Sequence, residues 1–326
     1  MISKNRDEDR REFLRPDFPQ AVGISLGEWQ CNRLCRMCPM FSQRVERERY
    51  ITDEVFEKAC RDMAGRKISL ELSAYGETFQ HPKADEYLFT SRRLCPDAHI
   101  VVATNGTLID KERAEKIVDS GIDNLSFSLD AGSAETYKWL TGAVDYENVC
   151  RNLETLVETR NKRGADHLFI QTHIIGISEL EHEFKDFLER WEGVTDKVYV
   201  RGFGNWAGLV NENEVTGIDV DRYGNRIEAE VDCPGVRYPC AWLWYATKIE
   251  PNGDVSKCFI HVTGEKNPLG NIMEEDFEGI WKGEKLAEYR RLHLQNRPEE
   301  LEFCERCSVW SLFPNFWHKT DNDSWE

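Results

Sequence analysis

The sequence predicts an α/β protein: a partial (β/α)6 barrel followed by a small C-terminal α+β domain. Three observations carry this. Short apolar runs alternate with amphipathic stretches about six times between residues 20 and 206, a rhythm that builds a parallel sheet covered by helices. Polar turn motifs recur at the ends of these runs, where folds of this class gather their chemistry. From residue 207 the rhythm breaks, and from Cys233 a separate pattern of cysteines, short strands and a helix begins. The chain is therefore divided into a leader (1–19), a barrel core (20–206), a linker or insertion (207–232) and a cysteine-rich domain (233–326).

In chain order, QAVGISLG (20–27) reads as the first strand and leads directly into a cysteine loop. ITDEVFEKACRDM (51–63) is helical, with Thr52 as N-cap ahead of an acidic first turn. KISLELSAYG is a strand, ADEYLFTSRR a helix and HIVVATNG a strand. DKERAEKIVDSG is a helix closed by Gly121, in the place of a C-terminal cap. DNLSFSLD, LFIQTHII and KVYVRGFG follow as strands, separated by helices over YENVCRNLETLVETRNKRG and EHEFKDFLERWE. The stretch 207–232 is polar and turn-rich with no clear period. Beyond it, ATKIEPNGDVSKCFI contains short strands and FEGIWKGEKLAEYRRLHLQ a helix.

Composition narrows the function. Forty-two basic residues against fifty-nine acidic ones give a formal charge of −17, and no Lys/Arg block forms a phosphate-neutralising stripe. Nucleic-acid binding is not expected. The charged N-terminus lacks the apolar core of a signal peptide, and no apolar run is long enough to span a bilayer. A cytoplasmic location without membrane partners is expected. In that compartment the eleven cysteines are metal ligands or catalysts more readily than disulfides.

Cys31, Cys35 and Cys38 stand in CxxxCxxC spacing within WQCNRLCRMCPM, a pattern expected by chance about 0.01 times in this composition. A zinc site completed by a distant His or Asp is one reading. A [4Fe–4S] cluster fits better, because it takes one thiolate per iron and close loop cysteines reach adjacent corners. Three thiolates leave one iron open, as catalytic metal sites do.

Placed after the first strand of a βα series, this loop resembles the radical S-adenosylmethionine (SAM) superfamily, over most of residues 20–206. The resemblance implies that the open iron binds SAM through its amino and carboxylate groups. It also implies that one electron cleaves SAM to a 5′-deoxyadenosyl radical, which abstracts hydrogen from a substrate, with flavodoxin or ferredoxin as electron donor. Gly76 and Glu77, in AYGET at the second strand end, match the family motif that contacts the SAM amine; Tyr75 replaces its first glycine. Asn105, in TNG, ends the third strand. Ser128 and Asp130, in SFSLD, end the fourth and are candidates for ribose or carboxylate contacts. Met37 stands where the family often has an aromatic residue before the third cysteine.

Cys240, Cys258, Cys304 and Cys307 form a second, closed set, and spacing alone does not decide between zinc and a fully ligated [4Fe–4S] cluster. The resemblance decides: the set looks like the SPASM/twitch extension of this superfamily. No cysteine follows Cys307, which implies the shorter twitch form with one auxiliary cluster, most similar to the 2-deoxy-scyllo-inosamine dehydrogenase type. Cys233 is left over, as a turn cysteine or a thiol hydrogen donor. Cys60 and Cys150 read as core residues.

Thr172, His173, Arg201, Asn205 and Trp206 are candidates to face the substrate, with Arg201 and Asn205 taken as catalytic and His173 as a core histidine. Trp242, Trp244, Trp310 and Trp317 are expected to pack the small domain and keep water from its cluster. The expected function is hydrogen abstraction from a small polyol or aminosugar, giving oxidation or epimerisation. Radical modification of a peptide or protein side chain is the alternative.

Overall fold

The computed structural model describes residues 17–28, 30–42, 49–73, 76–210, 213–226, 237–260 and 267–312. Cys233, Tyr75, Trp317 and most of the leader lie outside the described residues.

Six parallel strands run in consecutive order: β1 (Ala21–Ser25), β2 (Ser69–Ser73), β3 (His99–Thr104), β4 (Asn124–Asp130), β5 (Phe169–Gly176) and β6 (Lys197–Gly202). They are joined by helices α1 (Asp53–Met63), α2 (Ala84–Leu94), α3 (Lys111–Asp119), α4 (Ala134–Thr141), α5 (Tyr146–Arg163) and α6 (Phe184–Trp191). The core lies between sheet and helices. On β2, β3 and β4 the residues Leu70, Leu72, Ile100, Val102, Leu125, Phe127 and Leu129 are fully buried against helical residues such as Phe56, Leu88, Ile117 and Leu153. Each such side chain contributes about 1.5–3 kcal/mol on burial. The alternate positions of β4 (Asn124, Ser126 and Ser128) are half-buried and polar, and they form the inner face.

The local signals act as expected in the helices. Thr52 accepts from the Val55 N–H at 3.4 Å, and Gly121 follows α3 at φ 77°. Two elements differ from the sequence expectation. Helix α4 was not foreseen, although Ser133 caps its start and Gly142, at φ 75°, ends it. The helix expected from Glu181 starts only at Phe184, because Ser178–Glu183 forms a 3-10 turn tied to the stretch beyond β6. There Ser178 N donates to Thr216 O at 2.9 Å, and Thr216 N donates to Glu179 at 3.0 Å.

The described part of 207–232 is an ordered strap. Ile218 N donates to Gly176 O at 3.1 Å, and Val200 N on the outer edge of β6 donates to Arg222 O at 3.0 Å. Arg226 grips Glu181 through two hydrogen bonds of 2.8 and 2.7 Å. Val215 and Val220 of the strap are themselves buried. The strap thus covers the last strand's free edge, which unsatisfied backbone groups would otherwise expose.

Beyond the strap, β7 (Ala246–Ile249) pairs in parallel with β1, Ala21 opposite Ala246 and Gly23 opposite Lys248. Strands β8 (Asp254–Ser256) and β9 (Gly270–Asn271) continue the sheet antiparallel. One nine-stranded sheet therefore crosses from the barrel core into the cysteine-rich region. A short helix, α7 (Trp242–Tyr245), precedes β7, and α8 (Phe277–Lys282) and α9 (Glu284–Leu294) complete the region. The single helix expected over 277–295 is two, because Gly283 adopts an extended backbone (ψ 159°) that ends one and caps the next.

Candidate active site

The cysteine loop after β1 lies over the carboxyl ends of the strands, held by the sequence around it. Gly76 and Gln30 form a parallel bridge, and Glu77 N donates to Gln30 O at 2.7 Å. Gly76 has φ 140°, and a Cβ there would meet Gln30 O at 1.6 Å, so only glycine allows this approach. Two arginines within the loop anchor it outward. Arg33 pairs with Asp145 and touches the Tyr137 hydroxyl at 3.4 Å. Arg36 N donates to Leu140 O at 2.8 Å, while its guanidinium reaches Trp139 O at 2.9 Å and Glu214 of the strap at 2.6 Å. The sequence reading did not single out either arginine; their place between the three cysteines was the available signal.

Cys31, Cys35 and Cys38 are all partly exposed at this mouth. Burial pushes the thiols up, to about 12 for Cys31 and about 11 for Cys38, and Glu77 and Asp130 add to the effect. Free, these thiols keep their protons, so binding a metal centre releases them. Asn105 points its amide nitrogen at Cys31 Sγ (3.9 Å) and Asn32 Oδ1 (2.9 Å).

Glu77 was expected to meet the SAM amine. Its carboxylate is 1% exposed and accepts from Thr104 Oγ1 (2.6 Å), Phe79 N (3.0 Å) and Asn105 N (2.7 Å). A carboxylate has about four acceptor positions, and three are taken here. Burial raises its pKa despite these donors. Glu77 therefore ties the end of β2 to that of β3 beneath Asn105, with little capacity left over.

Asp130 follows a register shift between β4 and β5 and has φ 62°. Bulges of this kind re-aim side chains. Here Asp130 is turned toward the cysteine loop, near enough to raise Cys35 and Cys38, and toward His173, whose Nε2 is 3.3 Å from Oδ1. His173 is fully buried, and desolvation lowers its pKa although Asp130 opposes this, so the ring is neutral. Arg201 Nη1 stands 3.4 Å from the same His173 nitrogen, and Tyr199 packs on the ring at 5.4 Å. Gln171 donates to Asn124 at 3.3 Å, and Tyr199 hydrogen-bonds Ser126. The inner face of β4, β5 and β6 is thus a connected polar surface leading up to the three thiols. His173, among the barrel-facing candidates and read as a hydrogen-bonded core histidine, lies on this face fully buried against Asp130 and Arg201. Thr172 faces the other way and donates to Phe127 O at 3.0 Å.

Asn205 lies elsewhere. Its amide donates to Arg306 O and accepts from Ser308 N, both at 3.1 Å, so its side chain serves the second cysteine set instead of the barrel mouth. The adjoining residues Trp206, Ala207 and Gly208 all take positive φ (51°, 58° and 78°), and the Ala207 N–H lies against Cys307. Cys240, Cys258, Cys304 and Cys307 are mutual electrostatic neighbours, and burial raises Cys304 to about 12. Cys240 N donates to His293 Nδ1 at 3.2 Å. Trp242 stacks on Phe259 at 5.4 Å, and Trp310 meets Tyr238 edge-on at 4.8 Å. Among the described residues no three His, Cys, Asp or Glu side chains converge as ligands of one ion. Thiolates on a cube each bind a different iron and stand apart, so both sets fit a cluster.

Comparison with known proteins agrees with this geometry. Residues 30–190 match the radical SAM superfamily and residues 240–308 the SPASM iron–sulfur cluster-binding domain. The chain belongs to the radical SAM superfamily and carries a SPASM domain; its cofactors are SAM, a SAM-binding [4Fe–4S] cluster and auxiliary iron–sulfur ligation.

Its individual relatives are diverse. An AdoMet-dependent heme synthase of Methanosarcina barkeri is 25% identical, with 83% of each chain covered. A probable GTP 3′,8-cyclase of Archaeoglobus fulgidus is 25% identical, but the match spans 40% of this chain and 42% of that one. Among solved structures, BtrN in complex with AdoMet and 2-DOIA shares the fold at TM-score 0.60 and 14% identity, covering 89% of this chain and 93% of BtrN. SuiB of Streptococcus suis, bound to precursor peptide SuiA, gives TM-score 0.65 and 15% identity, covering 95% and 76%. Among the described residues no helix is long and apolar enough to cross a membrane.

Proposed function

We propose that the chain abstracts a hydrogen atom from a small polyol or aminosugar-type molecule held within the barrel, and dehydrogenates or epimerises it. In this reading Cys31, Cys35 and Cys38 hold the SAM-binding cluster, and Cys240, Cys258, Cys304 and Cys307 hold one auxiliary cluster. Gly76, Glu77, Asn105, Ser128 and Asp130 shape the SAM pocket. When bound, the cluster and SAM together supply a carbon radical able to remove a hydrogen atom. The chain's own residues do the rest. Gly76 and Glu77 fix the strand ends, Asn105 offers an N–H to the first thiolate, and Arg33 and Arg36 lock the loop.

The single observation that carries the substrate class is the polar inner face from Asn124 and Gln171 up to Asp130, His173, Tyr199 and Arg201. Hydroxyl and amino groups can extend such a hydrogen-bonded surface, which an apolar ligand would desolvate without replacing the hydrogen bonds to water. Similarity to BtrN over nearly its whole length supports the same class. Cys233 remains the proposed hydrogen donor for an epimerase, and flavodoxin or ferredoxin the proposed electron donor. The peptide alternative is supported by fold likeness to SuiB with its precursor peptide and to anSMEcpe with a bound peptide.

Anaerobic reconstitution with SAM, reductant and candidate polyols in heavy water tests the reading. A product lighter by one hydrogen pair identifies dehydrogenation, and solvent deuterium in an isomer identifies epimerisation. Turnover of a peptide with no polyol turnover overturns the small-substrate reading.

A further inference from the structure

We propose that Arg237, assisted by Lys257, sets the electron affinity of the second cysteine site, raising its reduction potential above that of the first. The inference rests on reading Cys240, Cys258, Cys304 and Cys307 as ligands of one auxiliary cluster. It deepens that reading by favouring net oxidation over redox-neutral isomerisation.

Three cations of this region, Arg237, Lys257 and Arg290, are held by carbonyls, a hydroxyl and aromatic rings. Arg237 Nη2 donates to Cys304 O and Nη1 to Glu305 O at 3.3 Å, while the guanidinium lies 5.5 Å from the Trp310 ring. Its Nε is buried without a hydrogen-bond partner. Lys257, 5% exposed and adjacent to Cys258 in sequence, reaches the Tyr289 hydroxyl at 2.9 Å and lies over the Tyr289 and Phe303 rings. Arg290, 8% exposed, donates to Leu243 O at 3.0 Å and covers Trp281 at 4.6 Å; its Nη2 also lacks a partner. Carbonyls and aromatic faces, in place of carboxylates, receive Arg237 and Arg290 among the described residues.

Buried charge without a counter-charge is costly. A four-thiolate iron–sulfur cluster is anionic and becomes more so when reduced, so it offers Arg237 the counter-charge that no carboxylate among the described residues supplies. Net charge near the cluster and hydrogen bonds to its sulfurs govern potential, so each cation here favours the reduced state. Arg237 reaches the Cys304 and Glu305 carbonyls, and Lys257 directly precedes Cys258. Glu302 precedes the CxxC and Glu305 lies within it, but both are exposed, where solvent and salt screen them.

The first cysteine set has the opposite surroundings. There the buried carboxylate of Glu77 lies behind Asn105, whose amide stands 3.9 Å from Cys31 Sγ, and Arg33 is paired with Asp145. Oxidation of a CH–OH carbon to a carbonyl, once the hydrogen atom has left, releases one electron and one proton. The proton goes to solvent, and the electron has a stabilising environment at the second set.

Redox titration followed by electron paramagnetic resonance on the reconstituted full chain tests this. The same titration on full-length C31A/C35A/C38A shows the second cluster alone. Arg237→Gln is expected to lower the second cluster's midpoint by a tenfold change in its reduction equilibrium, about 59 mV for one electron. Lys257→Met is expected to shift it in the same direction by less, and Arg237→Lys to restore most of the loss. The first cluster's midpoint stays in place. Should Arg237→Gln not load iron, Arg237→Lys and Lys257→Met carry the test. Unchanged midpoints in loaded variants overturn the inference while leaving the cluster assignment standing. Absence of any second cluster in C31A/C35A/C38A removes the assignment, and the inference with it.

Discussion

The two cysteine sets share a chemistry and differ in almost everything around it. The first is a loop of three partly exposed thiols at the strand ends, faced by Glu77 and Asp130 and clamped by Arg33 and Arg36. The second gathers four thiols from three separate segments, among aromatic rings and the cations Arg237 and Lys257. In the proposed reading the first leaves a ligand place open for a cofactor, whereas the second is closed and set among cations. Asn205 and Ala207 join them: the chain leaving the last barrel strand rests directly on the CxxC loop.

Removing thiols from each set separates the roles most sharply. Cys35→Ala is expected to reduce 5′-deoxyadenosine formation to background and to lower iron from about eight to about four atoms per chain. The double variant Cys304→Ala/Cys307→Ala is expected to lose the same iron yet continue to cleave SAM, with substrate turnover abolished. If both variants lose SAM cleavage with folding intact, the division of labour is wrong.

Smaller substitutions probe the supports. Gly76→Ala places a methyl 1.6 Å from Gln30 O and forces a strained backbone, costing at least about 1–3 kcal/mol. Thermal unfolding, together with iron lost from the first set alone, checks this. Asn205→Ala removes two hydrogen bonds to the CxxC loop and is expected to cost about 1–2 kcal/mol. Its iron loss falls on the second set, with the first unaffected.

The smallest effect is on pH dependence. His173 is neutral when folded, with its pKa below the unfolded value because burial disfavours the charge. Between the unfolded pKa of about 6.5 and the lower folded value, the unfolded chain binds more protons, so stability declines as pH falls through that window. His173→Asn is expected to flatten this part of a denaturation series across pH.

Much of the molecule was legible in the sequence because its signals are local. The six strands follow apolar runs, Thr52 and Gly121 mark helix boundaries, and CxxxCxxC after β1 announced the open site. Helix α4 was missed despite its Ser133 and Gly142 caps, since a short helix between a strand and a longer helix has little periodicity to show. The break at Gly283 was missed because one glycine within an amphipathic run reads as a tolerated interruption until its ψ is seen.

By itself the sequence determined the order of strands and helices, the two cysteine sets and the superfamily, because spacing along the chain is what these depend on. Only the tertiary structure decided where the side chains between those landmarks face. It directed Asn205 to the second set, joined His173 to Asp130 and Arg201, and saturated Glu77 with three donors. It also ran one sheet through both regions by pairing β7 with β1. These facts rest on contacts between residues far apart in sequence. The free energy that fixes them comes from burial and hydrogen bonding, which no single segment carries alone.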